Sequence, residues 1–507
     1  MLSRLSILVQ YRRSGRSYCH DCARALSGKL LWGKLSAGER CLGRAFGLAL
    51  DWIFCAMTQI VLKQATALLE NGFRHVDLLI DGPYIAQIAP EITVPAGATV
   101  IDCSGKLVIP GLIDAHVHFR QPGMEQKATI ASESRAAALG GVTSFMDMPN
   151  TFPATTTIAA LHDKMALAAR DSVINYGFHL GASHDNLEEI KRVDPHEIAS
   201  IKVYMGSTTG NLLVDDNHEL HQVFKHAPTL VMTHCEDNAI VNANTQRAKE
   251  QYGNAIPFDL HPIIRNRDCC LKSTQLAVEL ALATGARLHV AHVSTRDEVD
   301  YLKQFASGPL ATRQISCEVC IPHLFFNESD YGRLQGFLKC NPAVKYEFDR
   351  LSLIRALRAG IITTIGTDHA PHELAVKNSS DYLKVASGLP SVQFSLNVIF
   401  ELARRHELSL EEGLKAATCN VAARFGVEKR GTLKEGFFAD IAVLDTSSRY
   451  TVTPEDVASL CGWSPMVGQS FSSRVTHTIA SGHLVVADGK LVGEPGQAQA
   501  LRFNHAR

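Results

Sequence analysis

Short apolar runs separated by turn residues open the chain from Met57 onward. Gln59–Leu62, Val76–Ile80 and Ile85–Ile88 are divided by Asn71-Gly72 and Asp81-Gly82-Pro83. Runs of this length between Gly, Pro, Asn and Asp predict strands joined by tight turns. The same texture returns near the far end in Ala439–Leu444, Val475–Ile479 and Leu484–Val486, with Gly482 and Gly489 as turn residues. The two segments, residues 57–109 and 428–495, are expected to pair into one small β-domain.

A slower rhythm fills residues 110–427. Strand-like runs alternate with helix-like stretches, at Leu107–His118, Thr143–Asn150, Ile174–Leu180, Ser200–Met205, Leu230–His234, Arg287–His292, Ile315–Ile321 and Ile361–Asp368. Near-continuous apolar strands between helices predict a parallel sheet buried on both faces. Eight of them is the count of a (β/α)8 barrel, whose chemistry sits at the C-terminal strand ends. The expected fold class is therefore α/β, a (β/α)8 barrel with a small composite β-domain.

Composition narrows the function classes. With 507 residues, 46% hydrophobic and 20% charged, and with 36 Gly and 19 Pro, the chain is neither disordered, collagenous nor a disulfide scaffold. Thirteen cysteines without regular spacing read as reduced, cytoplasmic usage. The most apolar stretch, Ala45–Leu62, carries Asp51, so no membrane span is expected. The net charge of −1 hides an asymmetry, because residues 1–56 hold nine Lys/Arg against three acids and leave the remainder at −7. That basic extension reads either as a targeting segment or as sequence upstream of a true start at Met57. Its lone Cys19-His20-Asp21-Cys22 lacks a second pair at zinc-finger spacing and is discounted as a metal site. Nothing in the charge balance argues for nucleic acid.

Most barrel runs end in a polar or ionisable residue. The first ends in Asp114-Ala115-His116-Val117-His118, where His116 and His118 share a strand face and can converge on one metal ion. Other runs end at Asn150, His234, His292 and Asp368, and the fourth carries Lys202. A single His in an apolar run is ordinarily a hydrogen-bonded core residue. A Lys there is odder, since Lys is rarely buried without a partner. The signal is joint occurrence: four His, one Lys and one Asp on five expected strands. Imidazole and carboxylate donors suit zinc, with manganese or iron as alternatives.

This constellation resembles the binuclear amidohydrolase superfamily, and residues 57–495 are similar to dihydroorotases. The resemblance rests on Pro110-Gly111-Leu112-Ile113-Asp114-Ala115-His116-Val117-His118-Phe119-Arg120-Gln121-Pro122-Gly123, on Gly140-Gly141-Val142-Thr143, on Asp147-Met148-Pro149-Asn150-Thr151 and on Asp368-His369-Ala370-Pro371-His372. It implies two divalent ions, zinc foremost. His116, His118 and Asp368 would hold one, and His234 and His292 the other. Lys202, carboxylated by CO2, would bridge them. It implies a hydroxide shared by the ions as nucleophile and Asp368 as general acid and base. The reaction implied is the reversible interconversion of N-carbamoyl-L-aspartate and L-dihydroorotate in de novo pyrimidine biosynthesis. Arg120, Asn150 and His372 would hold the substrate carboxylate, and Asn341 would add a contact. The partner is thus a small molecule, with no nucleic acid or membrane, and a homodimer follows only by analogy with other barrels of this type.

The chain departs from the family in two places. It reads Asn341-Pro342-Ala343-Val344-Lys345 where many dihydroorotases read Asn-Pro-Pro-Leu-Arg, and Ser387-Gly388-Leu389-Pro390-Ser391 replaces a Gly-rich loop. Allantoinases share the Arg-x-Pro-Gly turn but lack a counterpart of His372 and differ at Pro149-Asn150-Thr151. Dihydropyrimidinases and hydantoinases lack the Arg after the paired His and place a Tyr where this chain has Gly206-Ser207-Thr208. Inactive assembly subunits of the superfamily lose metal ligands, whereas all six positions are filled here. Cys317-Glu318-Val319-Cys320 is expected to be core, and Cys235 a small buried hydrophobe or a pocket-lining residue. Glu236 and Asp237 are read as partners of ligand imidazoles or as helix-start acids. His179 and His184 have no assigned partner, and no chemistry is inferred for Trp463-Ser464-Pro465.

Overall fold

Twenty strands carry the fold among the described residues. The computed structural model describes residues 59–207 and 210–505; the basic extension with its Cys19–Cys22 pair, and Thr208, lie outside them. β1 (Ile60–Leu69), β2 (Gly72–Asp81), β3 (Tyr84–Ala89), β4 (Thr99–Asp102) and β5 (Leu107–Pro110) come first. β6 (Leu112–Val117), β7 (Val142–Asp147), β8 (Asn175–Phe178), β9 (Leu180–Gly181), β10 (Ile201–Tyr204), β11 (Val231–His234), β12 (Leu288–Val290), β13 (Ile315–Cys320) and β14 (Thr364–Gly366) follow. β15 (Ile441–Asp445), β16 (Tyr450–Thr451), β17 (Ser470–Phe471), β18 (Arg474–Ala480), β19 (His483–Ala487) and β20 (Lys490–Leu491) close the chain.

Nine strands from the two chain ends form one sheet in the order β20-β19-β18-β15-β5-β1-β2-β3, with β4 on β1. The seam is β5 antiparallel to β15, with Leu107 opposite Leu444 and Pro110 opposite Ile441. Ile60, Leu62, Leu78, Ile80, Ile85, Val108, Ile441, Val443 and Ile479 fill its core.

The barrel strands pair in parallel as β6-β7-β8 and as β9-β10-β11-β12-β13-β14. Every residue of these strands is buried, which is why they read as apolar runs without alternation. β8 and β9 are one strand kinked at His179, whose N–H donates to the Asp147 carbonyl (3.1 Å). The ring closes where Val117 bridges His369 and the His118 N–H donates to the His369 carbonyl (2.7 Å). This is the expected (β/α)8 barrel.

One expectation needs correcting. Leu107–His118 is not a single strand, because the chain changes sheets at Gly111. The Gly111 N–H donates to the Asp440 carbonyl (2.9 Å), and a Cβ here would lie 2.2 Å from the Thr143 side chain. Only glycine permits that approach. A buried polar knot then ties barrel to sheet. Asn175 on β8 donates to Asp440 (2.9 Å) and accepts from Ser481 (2.8 Å), while Arg430 pairs with Asp440 (2.5 Å).

Helices between the strands start at side-chain caps, as at Thr157 and Asn266, and the helix Arg267–Thr284 ends on Gly285 at φ 77°. No helix of the described residues is long and apolar enough to cross a membrane. The nine described cysteines are free.

Candidate active site

His116 projects from β6 with His118 one residue beyond it, Lys202 from β10 and His234 from the end of β11; His292 and Asp368 lie two residues beyond β12 and β14. The structure brings all six together at the C-terminal mouth of the barrel. Asp368 Oδ1 lies 3.3 Å from His116 Nε2 and 3.0 Å from His118 Nε2. The ring centroids of His116 and His292 are 5.2 Å apart, and those of His234 and His292 are 4.5 Å apart. Three residues of this mouth hold left-handed backbone, Arg120 (φ 68°), His292 (φ 35°) and Asp368 (φ 47°). Such conformations are costly for non-glycine residues and gather at functional sites.

Acceptors behind the imidazoles set their direction. His116 Nδ1–H donates to Glu318 Oε1 (2.7 Å), His118 Nδ1–H to Asn150 Oδ1 (2.7 Å) and His234 Nε2–H to Glu236 Oε2 (2.8 Å). Each bond fixes one tautomer and leaves the other ring nitrogen as a lone pair. Glu236 is itself held by Arg265 (2.6 Å) and by the Ser207 hydroxyl (2.6 Å). The Asn150 carbonyl oxygen is thus committed to His118, which leaves its amide N–H groups as the donors a substrate carboxylate would need.

The donor set fits a pair of metal ions. Burial holds His116, His234 and His292 below the ordinary imidazole range, which favours the neutral, ligating form. The ligand atoms of His116, His118 and Asp368 all lie within 4.8 Å of one another. Lys202 is fully buried, and its Nζ has no hydrogen-bond partner among the described residues. Burial pushes its amine down to about 8. An unpartnered buried ammonium is costly, whereas the neutral amine can take up CO2 and become an anionic ligand.

Beyond the cluster, Arg120 is 6% exposed. Its Nε donates to the Pro371 carbonyl (3.0 Å), and its Nη2 lies 3.2 Å from His372 Nε2. Burial and the Arg120 charge hold His372 well below the imidazole range, so it is neutral. Asn341 offers a buried side-chain oxygen with no donor among the described residues. Lys345 is taken up by the Ser294 hydroxyl (3.0 Å) and the Ala343 carbonyl (3.2 Å).

The loop over these residues is pinned from below. Lys377 Nζ donates to the carbonyls of Lys339 (3.0 Å), Ala386 (2.8 Å) and Gly388 (3.0 Å), matching three ammonium protons to three acceptors. Trp463 donates its indole N–H to the His372 carbonyl (2.7 Å), and the Ser464 hydroxyl donates to that of Pro390 (3.1 Å). Lys377→Met takes this donor from the Ala386 and Gly388 carbonyls, while the Lys339 carbonyl keeps the Gly388 N–H (2.9 Å), and is expected to lower stability by about 2 kcal/mol. Thermal unfolding of the ligand-free protein checks this, and an unchanged melting temperature contradicts it.

Glu318 was not foreseen as a site residue. It is fully buried on β13, and a Cβ at Gly366 would lie 2.6 Å from its Oε2. The available signal is a carboxylate inside an otherwise uncharged, fully buried strand, the same oddity that marks Lys202. Its neighbours behave as core: Cys317 Sγ faces the Ile361 carbonyl and Cys320 Sγ faces Glu318. Cys235 donates to the Thr233 hydroxyl (3.2 Å), and burial pushes its thiol up to about 12. Of the adjacent acids, Glu236 orients His234, while Asp237 caps the helix Asn238–Tyr252. His179 is bonded to Ser200 (2.7 Å) and the Ala115 carbonyl (3.0 Å), and His184 pairs with Glu219 at the surface (2.5 Å).

Comparison with known proteins agrees with this geometry. Residues 107–485 match the amidohydrolase family. A dihydroorotase of Halobacterium salinarum is 33% identical over 79% of this chain and 91% of its own length. An allantoinase of Deinococcus radiodurans is 31% identical over 86% of this chain and 97% of its own. The L-hydantoinase (dihydropyrimidinase) of Arthrobacter aurescens superposes with a TM-score of 0.83 at 25% identity, covering 88% of this chain and all of that one. The chain belongs to the amidohydrolase family and is a metal-dependent cyclic amidohydrolase similar to dihydroorotases.

Proposed function

We propose that the protein interconverts N-carbamoyl-L-aspartate and L-dihydroorotate, in the cytoplasmic synthesis of pyrimidines. One observation carries this reading: Arg120 is a buried guanidinium that forms no ion pair, and its Nη1 makes no hydrogen bond among the described residues. A buried charge without a counter-ion is strongly destabilising, and a substrate carboxylate supplies that counter-ion with bidentate geometry. Dihydroorotate has such a group and hydantoin and dihydrouracil do not; allantoinases share the Arg-x-Pro-Gly turn, and against them the reading rests on His372, whose Nε2 lies 3.2 Å from Arg120 Nη2.

His116, His118 and Asp368 would hold one ion and His234 and His292 the other, with carboxylated Lys202 between them. Bound there, the ions supply Lewis acidity and lower the pKa of water to about 7. The chain's own groups do the rest. Arg120 fixes the carboxylate, the neutral His372 packs beside it, and the ring amide is thereby turned toward the imidazole cluster. Asp368 takes a proton from the attacking water and returns it to the leaving nitrogen.

The test is turnover of dihydroorotate, allantoin, hydantoin and dihydrouracil by the zinc-loaded protein, with chelator controls. Turnover confined to dihydroorotate is expected. Turnover of allantoin or a hydantoin in its place rejects the pyrimidine reading and leaves the cyclic amidase. Arg120→Met is expected to lower kcat/KM for dihydroorotate about 100-fold, mainly through KM, because a charge-assisted contact common to ground and transition state is lost. An unchanged KM contradicts the role of Arg120.

A further inference from the structure

Tyr204 ends β10 two residues after Lys202, so strand alternation puts both side chains on the inner face of the barrel. Its ring centroid lies 5.2 Å from Lys202 Nζ and 6.4 Å from the His234 ring. The residue is 5% exposed, yet its hydroxyl has no hydrogen-bond partner among the described residues. Buried tyrosine hydroxyls ordinarily find one. Lys202 Nζ, Asn341 Oδ1 and Glu318 Oε2 are also without a partner among the described residues, and the first two belong to groups read above as awaiting a ligand.

The charges acting on the phenol are Asp368, Asp147 and Arg120, which belong to the same pocket. A phenol, with an ordinary pKa of about 10, keeps its proton at neutral pH, so the hydroxyl can donate. Asp147 is already occupied, accepting from the Phe119 N–H (2.7 Å) and pairing with Lys164 (2.6 Å). Asp368 is shared by two imidazoles. The unfilled acceptor position therefore falls on what enters the pocket. We infer that Tyr204 is a substrate-binding residue whose O–H donates a hydrogen bond to an oxygen of the bound cyclic amide. The inference rests on the cyclic-amidase reading of the cluster but not on which cyclic amide is turned over.

Tyr204→Phe removes the hydroxyl and keeps the ring, so it separates binding from packing. In the zinc-loaded enzyme, kcat/KM is expected to fall about tenfold or more with two metal equivalents retained. The ligand-free variant is expected to melt at or above the parent temperature, since the hydroxyl has no partner to lose among the described residues. Three results overturn the inference: kcat/KM within twofold of the parent, loss of metal in step with activity, or a lowered melting temperature. The parent is run on dihydroorotate, allantoin and dihydrouracil in parallel. If it turns over a substrate other than dihydroorotate, the pyrimidine reading fails and Tyr204 is judged on that substrate. If it turns over dihydroorotate and the variant matches it, the Tyr204 inference alone fails.

Discussion

Lys202→Ala is expected to release bound metal and to lower turnover by roughly a thousandfold or more, while the ligand-free fold survives. The two halves of this expectation have different causes. Turnover falls because, on the proposed assignment, His234 and His292 would supply only two of the ligands one ion needs once the carboxylated Lys202 is gone. The fold survives because Lys202 Nζ has no hydrogen-bond partner to lose among the described residues. Truncating the stem opens a cavity inside the barrel, which costs stability, but it also removes a buried amine whose desolvation already opposes folding. The two effects oppose each other, and the net change is expected to stay within about 2 kcal/mol. Metal content per chain, melting temperature of the metal-free protein and kcat check the three parts. Full metal and full rate in Lys202→Ala would remove Lys202 from the centre altogether.

The fold was legible from the sequence for a definite reason. Barrel strands buried on both faces cannot alternate, so they stand out as apolar runs, and the ionisable residue that interrupts or ends a run marks the mouth. His116, His118, Lys202, His234, His292 and Asp368 were visible in this way. Glu318 carried the same mark but was absorbed into a Cys-flanked core strand. What stayed hidden depends on tertiary contacts between segments far apart in the chain. Nothing local shows that Asn150 spends its carbonyl on His118, that Lys377 holds three loop carbonyls, or that Trp463 pins the backbone of His372. The change of sheet at Gly111 was equally silent, because one residue without a side chain separates two strands whose apolar pattern runs on unbroken.

Asp368→Asn separates proton transfer from placement. Asp368 follows β14 at φ 47°, and its side chain is 14% exposed, more than His116 (2%) or His118 (8%). One oxygen is shared between the two imidazoles. Burial pushes its carboxyl up, but the His116 and His118 imidazoles and the Lys202 amine outweigh that and hold it below the ordinary range. The sign follows: the base form is complete well below neutral pH, so raising the pH adds nothing to it. Asparagine keeps the shape and an acceptor oxygen but cannot take a proton. Turnover of Asp368→Asn is therefore expected to fall about a thousandfold, by the same factor at pH 6 and pH 9, because the lost group does not titrate between them. Metal content and circular dichroism measured on the same samples show whether the cluster is intact. Near-parental turnover with both ions bound would place the proton transfer on another group, and the neutral His372 beside Arg120 would then be the residue to replace.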